Sequence, residues 1–178
     1  MFFVDAAHFV MGAFLGFVWC FERVFIKSPS GRKRFNVLGA LNAITHEVIT
    51  VTNETYINAE SVCELLRKLA SLGLIIPITL VLDNAKYQKC QLVQELAGTL
   101  GIELLYLPSY SPNLNLIERL WKLVKKRCLY SKYYPDFSQF KAAISTFIES
   151  AHVQHKQELD SLLTLRFQTF NKAQIVTV

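Results

Sequence analysis

Paired cysteines are missing: Cys20, Cys63, Cys90 and Cys128 are scattered, and no C-x-x-C pair occurs. That spacing argues against a disulfide framework or a structural zinc site, and for reduced thiols in a cytosolic protein. Glycine (7) and proline (5) are scarce in 178 residues, which excludes collagen-like and low-complexity classes. No internal repeat is present, so a solenoid is excluded too. A membrane span is also lacking. The uncharged stretch between Asp5 and Glu22 covers 16 residues (6 to 21) and is interrupted by His8, Gly12 and Gly16. A spanning helix needs roughly 20 apolar residues. Positive charge is absent from Met1-Phe-Phe-Val-Asp5, so no signal peptide is expected.

What is present is a core-forming composition, 52% hydrophobic and 12% aromatic, in a length suited to one domain. The net charge of +5 and pI near 9.0 favour polyanionic partners, although many proteins share that balance.

The first third reads as an antiparallel meander. Strands are predicted at Met1–Phe9, Phe17–Ile26, Phe35–Ile44 and Val48–Thr52. A basic loop, Lys27-Ser-Pro-Ser-Gly-Arg-Lys-Arg34, and a turn at Thr45-His-Glu47 break them. The pattern then changes to alternation. A helix starts at Asn58-Ala-Glu-Ser61 and runs to Leu72, with Gly73 as its stop. The apolar run Ile78–Leu82 suits a strand buried on both faces. A helix over Gln88–Leu100, a strand over Ile102–Leu107, and helices over Leu114–Cys128 and Phe137–His152 follow, with a helical tail from Glu158. A meander followed by α-β-α-β-α-α predicts an α/β fold with a mixed sheet flanked by helices. The domain is expected to span residues 1–155, with 156–178 as a C-terminal tail.

Three acids stand out. Asp5 lies inside an apolar strand, Phe2-Phe-Val-Asp-Ala-Ala-His-Phe9, and Asp83 ends another, Ile78-Thr-Leu-Val-Leu-Asp-Asn-Ala85. An unpaired buried carboxylate is costly, so such positions face a cleft, a partner or a metal. The carboxyl ends of strands are also where open α/β sheets bind ligands. A turn or cap aspartate would satisfy the same local sequence. Glu118 opens a helix whose buried stripe is Ile117, Leu120, Trp121 and Val124. Asn115 and Glu118 have the spacing of a capping box, and Glu118 could pair with Lys122 one turn on.

In combination these residues resemble a known family. Between Asp83 and Glu118 stand 34 residues (84 to 117). The flanking Leu80-Val-Leu-Asp-Asn-Ala85 and Leu107-Pro-Ser-Tyr-Ser-Pro-Asn-Leu-Asn-Leu-Ile-Glu-Arg-Leu-Trp121 resemble the second and third catalytic motifs of bacterial insertion-sequence transposases of the mariner superfamily, the insertion-sequence six-thirty group. Phe3-Val-Asp-Ala-Ala-His8 is similar to their first motif, and Arg34-Phe-Asn-Val-Leu-Gly-Ala-Leu41 to their next strand. The resemblance covers about residues 1–130. It implies a ribonuclease-H-like fold in which Asp5, Asp83 and Glu118 converge as a catalytic DDE triad. Two Mg²⁺ or Mn²⁺ ions would be bridged by Asp5 and held singly by Asp83 and Glu118. The implied chemistry is hydrolysis of a phosphodiester at a transposon end, then attack of the freed 3′-hydroxyl on target DNA, at a TA dinucleotide. Asn84, Tyr110, Ser111 and Asn115 would shape the site from just behind the acids.

The chain departs from the family in three ways. Leu116 stands where proline is common, Lys86-Tyr-Gln88 stands where a histidine is common, and no helix-turn-helix region precedes the first motif. The resemblance therefore also implies a DNA-binding region supplied elsewhere, conceivably as a separate polypeptide, a homodimer that joins two ends, and a bacterial cytoplasm with nucleoid DNA as the setting. From Leu114 to Tyr134 there are six basic residues and one acid. Lys122, Lys125, Lys126 and Arg127, with Arg32, Lys33 and Arg34 in the earlier loop, are the expected phosphate-backbone contacts; a solvated lysine face is the plain alternative. His8, three residues from Asp5, should point to the other sheet face. Trp19 and Trp121 suit the core better than base stacking. Two alternatives remain open: another ribonuclease-H-like nuclease, and a non-catalytic fragment that binds DNA.

Overall fold

The computed structural model describes residues 1–12, 21–22, 33–108 and 111–167. The predicted strand at Phe17–Ile26, the residues Arg32 and Tyr110, and the end of the tail lie wholly or largely outside them. Five strands form one sheet in the order β3-β2-β1-β4-β5. These are β1 (Phe2–Val10), β2 (Arg34–Asn42), β3 (Val48–Asn53), β4 (Ile78–Leu82) and β5 (Ile102–Tyr106). The first three pair antiparallel, whereas β4 joins β1 in parallel and β5 joins β4 in parallel. The predicted mixed sheet is therefore found. The place beside β1 in the expected meander belongs to β2, paired from Phe2↔Asn42 to Val10↔Arg34.

β2 ends two residues earlier than expected. The Asn42 side chain accepts the N–H groups of Ile44 and Thr45, which turns the chain and leaves Ile44 in solvent.

Helices cover both faces. On one lie α1 (Ala59–Ala70) and α2 (Gln91–Thr99), packed with Phe2, Val4, Leu38, Leu80 and Leu82. Asn58 caps α1 through a reciprocal pair with Ser61, and Gly73 follows its end in the left-handed region at φ 63°. On the other lie α3 (Ile117–Cys128), α4 (Phe137–Gln154) and α5 (Lys156–Leu162), packed with Phe3, Ala7, Phe9, Val37 and Leu41. Alternation along β1 sends Phe3, Ala7 and Phe9 to the α3 face, and Phe2 and Val4 to the α1 face. Asp5 takes the α3 face by the same alternation. The boundary expected at residue 155 is crossed by packing, since Leu159 and Leu163 are buried in the α3–α5 core. Among the described residues, no helix is long and apolar enough to cross a membrane.

Candidate functional site

The parallel register decides what meets at the sheet end. Val4 of β1 lies opposite Leu82 of β4, so Asp5 and Asp83 follow at the same level on adjacent strands. β4 stops there, while β1 and β2 run on together to Val10 and Arg34. Helix α3 begins across this step. Asp5, Asp83 and Glu118 are all half-buried, and each offers a carboxylate oxygen within 4.8 Å of the others. They form one group capable of holding a divalent cation. Three hard oxygen donors, with no cation partner among the described residues, are the donor set that Mg²⁺ or Mn²⁺ takes.

Electrostatics agree. Asp5 is pushed up to about 7, first by burial and further by the negative charges of Glu118 and Asp83. The Ala6 backbone N–H and, more weakly, the Trp121 indole N–H work in the opposite direction. The Tyr87 phenol is likewise raised by burial, with Asp5 and Asp83 as further causes, so it shares their surroundings.

Asn115 joins the site in a way its spacing did not predict. It does not cap α3. Its amide, 1% exposed, donates to the Val4 carbonyl at 3.1 Å and to Asp83 Oδ1 at 3.2 Å. The capping box with Glu118 is therefore not formed: α3 starts after Leu116 with no side-chain cap. Nor does an ion pair link Glu118 to Lys122, among the described residues. The Glu118 carboxylate is left for the acid cluster. Asn84 donates to the Leu107 carbonyl, which ties the ends of β4 and β5 behind Asp83, while its Oδ1 is buried without a partner among the described residues. Ser111 lies in the turn before Pro112–Leu114, and its carbonyl accepts the Leu114 N–H.

The basic residues divide into two sets. Lys122, Lys125 and Lys126 are exposed on α3. Lys122 and Lys126 line a groove of about 430 Å³ between α3 and α5, with Arg119, Leu123, Glu158, Ser161 and Leu162. Arg127 is held by both carboxylate oxygens of Glu158, at 2.8 and 2.9 Å. Arg119 donates to the carbonyls of Leu162, Thr164 and Arg166, and Phe167 lies over it, which fastens the end of α5 to the start of α3. Lys33 and Arg34 are exposed at the far end of the β1–β2 ladder. Arg34 sits five positions past Asp5, about 17 Å away at the usual rise per residue. His8 faces away from the acids and pairs with Asn36 at 2.7 Å.

Two participants were not legible as such. Gly39 lies directly opposite Asp5, and Trp121 packs over that glycine: a Cβ there would stand 2.8 Å from the indole. Helical spacing puts Trp121 one turn from Glu118, but only the strand register brings it to Asp5.

Solved structures share the fold. A Mos1 mariner paired-end complex with Mn aligns with a TM-score of 0.60 at 14% identity, covering 90% of this chain and 53% of that one. The HTLV-2 integrase catalytic core domain in complex with magnesium gives 0.56 at 14%, covering 85% and 84%. A simian T-cell lymphotropic virus intasome gives 0.54 at 20%, covering 81% and 46%. The chain thus spans about half the length of the Mos1 and intasome chains. No curated protein matches the sequence. The family model of the DDE superfamily endonucleases matches residues 1–141, the stretch that holds all three acids, and the chain belongs to that family.

Proposed function

We propose that this chain is the catalytic domain of a DNA transposase, with Asp5, Asp83 and Glu118 as metal-ligating catalytic residues. The observation that carries the reading is the convergence of three carboxylates from β1, β4 and α3 at one sheet end. Two Mg²⁺ or Mn²⁺ ions are the expected complement, Asp5 bridging them and Asp83 and Glu118 each holding one; bound there, they would neutralise charge on the attacking and leaving oxygens of an in-line phosphoryl transfer. Asn115 orients Asp83 from behind, with Asn84 and the turn at Ser111 as its surroundings.

Lys122, Lys125 and Lys126 give the DNA backbone a basic track leading from the acids along α3, Lys33 and Arg34 extend it from the far end of the β1–β2 ladder, and Arg32 is expected to contact DNA as well. Arg127, already paired with Glu158, contributes less. Water opens a phosphodiester at a transposon end, and the freed 3′-hydroxyl attacks target DNA. Residues 1–155 carry the catalytic fold and the following segment braces it. The expected partners are transposon ends, target DNA, a second copy of the chain, and a DNA-binding region that recognises the ends. The setting is the bacterial cytoplasm, at the nucleoid.

The test is Mg²⁺-dependent nicking of plasmid DNA, and joining of a labelled end to it, by the natural chain and by Glu118→Gln. Roughly a hundred-fold or greater loss in the variant is expected. Full activity in Glu118→Gln would remove Glu118 from the site. Nicking without joining would favour a nuclease, and DNA binding indifferent to Mg²⁺ without cutting would favour a binding fragment.

A further inference from the structure

A metal site built from separate strands works only if each carboxylate is turned toward the same point, and outer groups usually do the turning. For Asp83 that group is Asn115, at the entrance to α3. The corresponding group for Asp5 lies further along the same helix. Trp121 is 3% exposed, and its indole N–H is buried with no acceptor in hydrogen-bond geometry among the described residues. Buried indole N–H groups ordinarily find a partner. The ring is not free to look elsewhere. Phe9 packs edge-on against it at 6.3 Å. The bare backbone of Gly39, the residue paired with Asp5, lies beneath its six-membered ring, with Cη2 and Cζ2 at 2.8 and 2.9 Å from where a Cβ would be. The indole is thus wedged beside Asp5, one helical turn from Glu118.

We propose that Trp121 is a positioning residue for Asp5: its indole N–H donates to the Asp5 carboxylate when that carboxylate ligates, and so fixes which oxygen would face the metal. This rests on the metal-site reading above. An N–H to carboxylate bond is charge-assisted and directional, which leaves the second oxygen for the ion. Helix α3 and the residue that leads into it would then carry the third acid and the orienting groups of the other two.

The chain has two tryptophans, so Trp19→Phe leaves Trp121 as the only indole. Mn²⁺, a paramagnetic quencher, is titrated into this full-length variant while heat and emission are followed in parallel. Quenching of Trp121 with the calorimetric midpoint, and its loss when Asp5→Asn is added, are expected. Trp121→Phe in the otherwise natural chain keeps a ring and removes the N–H. Its Mn²⁺ affinity should fall roughly ten- to hundred-fold with an unchanged circular dichroism spectrum. Should that variant fail to fold, the emission titration decides alone, because it leaves position 121 intact. Mn²⁺ binding without any change in Trp121 emission, or unchanged affinity in folded Trp121→Phe, overturns the role of Trp121 and leaves the acid site standing. No Mn²⁺ binding by the natural chain overturns both.

Discussion

With its carboxyl pushed up to about 7, Asp5 holds a proton on about half of metal-free molecules at neutral pH. An ion needs the charged form, so binding below pH 7 should release up to one proton from this residue. Calorimetric titration with Mn²⁺ at pH 6, in two buffers of different ionisation enthalpy, should return unequal heats; equal heats would mean that no net proton is released and that Asp5 is already ionised before the ion binds. The same shift has a stability consequence. The folded value lies above the unfolded 3.8, so the stabilisation is fully present below about pH 4 and is lost as pH rises through about 7. Its ceiling is about 4 kcal/mol. In a chelator, the Tm advantage of Asp5→Asn over the natural chain should therefore widen from pH 5 to pH 8.

Residue by residue, much of the site was legible in the sequence. Asp5 and Asp83 announced themselves as lone charges in apolar strands, and the run before Glu118 as an unusual turn. What local spacing could not show were partners distant in sequence. The Asn115 amide serves Val4 and Asp83, 111 and 32 positions away, rather than the nearby backbone that a capping box would use. Gln88 was expected in α2. It lies instead in a turn in which its N–H and that of Lys89 both reach the Ala85 carbonyl, and Tyr106 donates to its own carbonyl. That turn is held by β5, which no local periodicity reveals.

At the scale of elements, strands with one buried composition were the most readable, and Ile78–Leu82 is found as expected. Ends were less so, because caps and turns compete within a residue or two. Helix α3 fits tightly on β2 at Gly39. Gly39→Ala should cost about 1–3 kcal/mol by forcing its Cβ against the indole, measured by urea unfolding. Gly98→Ala on α2, where an added Cβ meets nothing within 4 Å, should be neutral or stabilise by about 0.5–1 kcal/mol. Equal effects at both positions would refute the close fit.

For the whole molecule, two predictions separate bracing and binding surfaces. Leu159 is fully buried although it lies in the segment read as a tail. Leu159→Ala should cost about 2–5 kcal/mol, whereas a residue resting on the surface would change stability by about 0.5 kcal/mol or less. DNA affinity measured against salt concentration should lose about one unit of slope in Lys122→Ala. Arg127→Ala should change it less, since its guanidinium is bound to Glu158; a larger change there would mean that DNA displaces Glu158.

The two faces of the sheet are completed at different times during synthesis. Among the described residues, the core that covers the α1–α2 side has been made once β5 ends at Tyr106, with Asp5 and Asp83 already synthesised. The opposite side, with Phe3, Phe9, Val37 and Leu41, waits for α3 and is not closed until Leu159 and Leu163 have left the ribosome. A chain halted between those points, by a frameshift or a stalled message, would present one finished face and one bare apolar face. Such a product aggregates or is held by chaperones. It would also lack Glu118 if halted before that position, so the cluster of three acids is complete only once the start of α3 has been made.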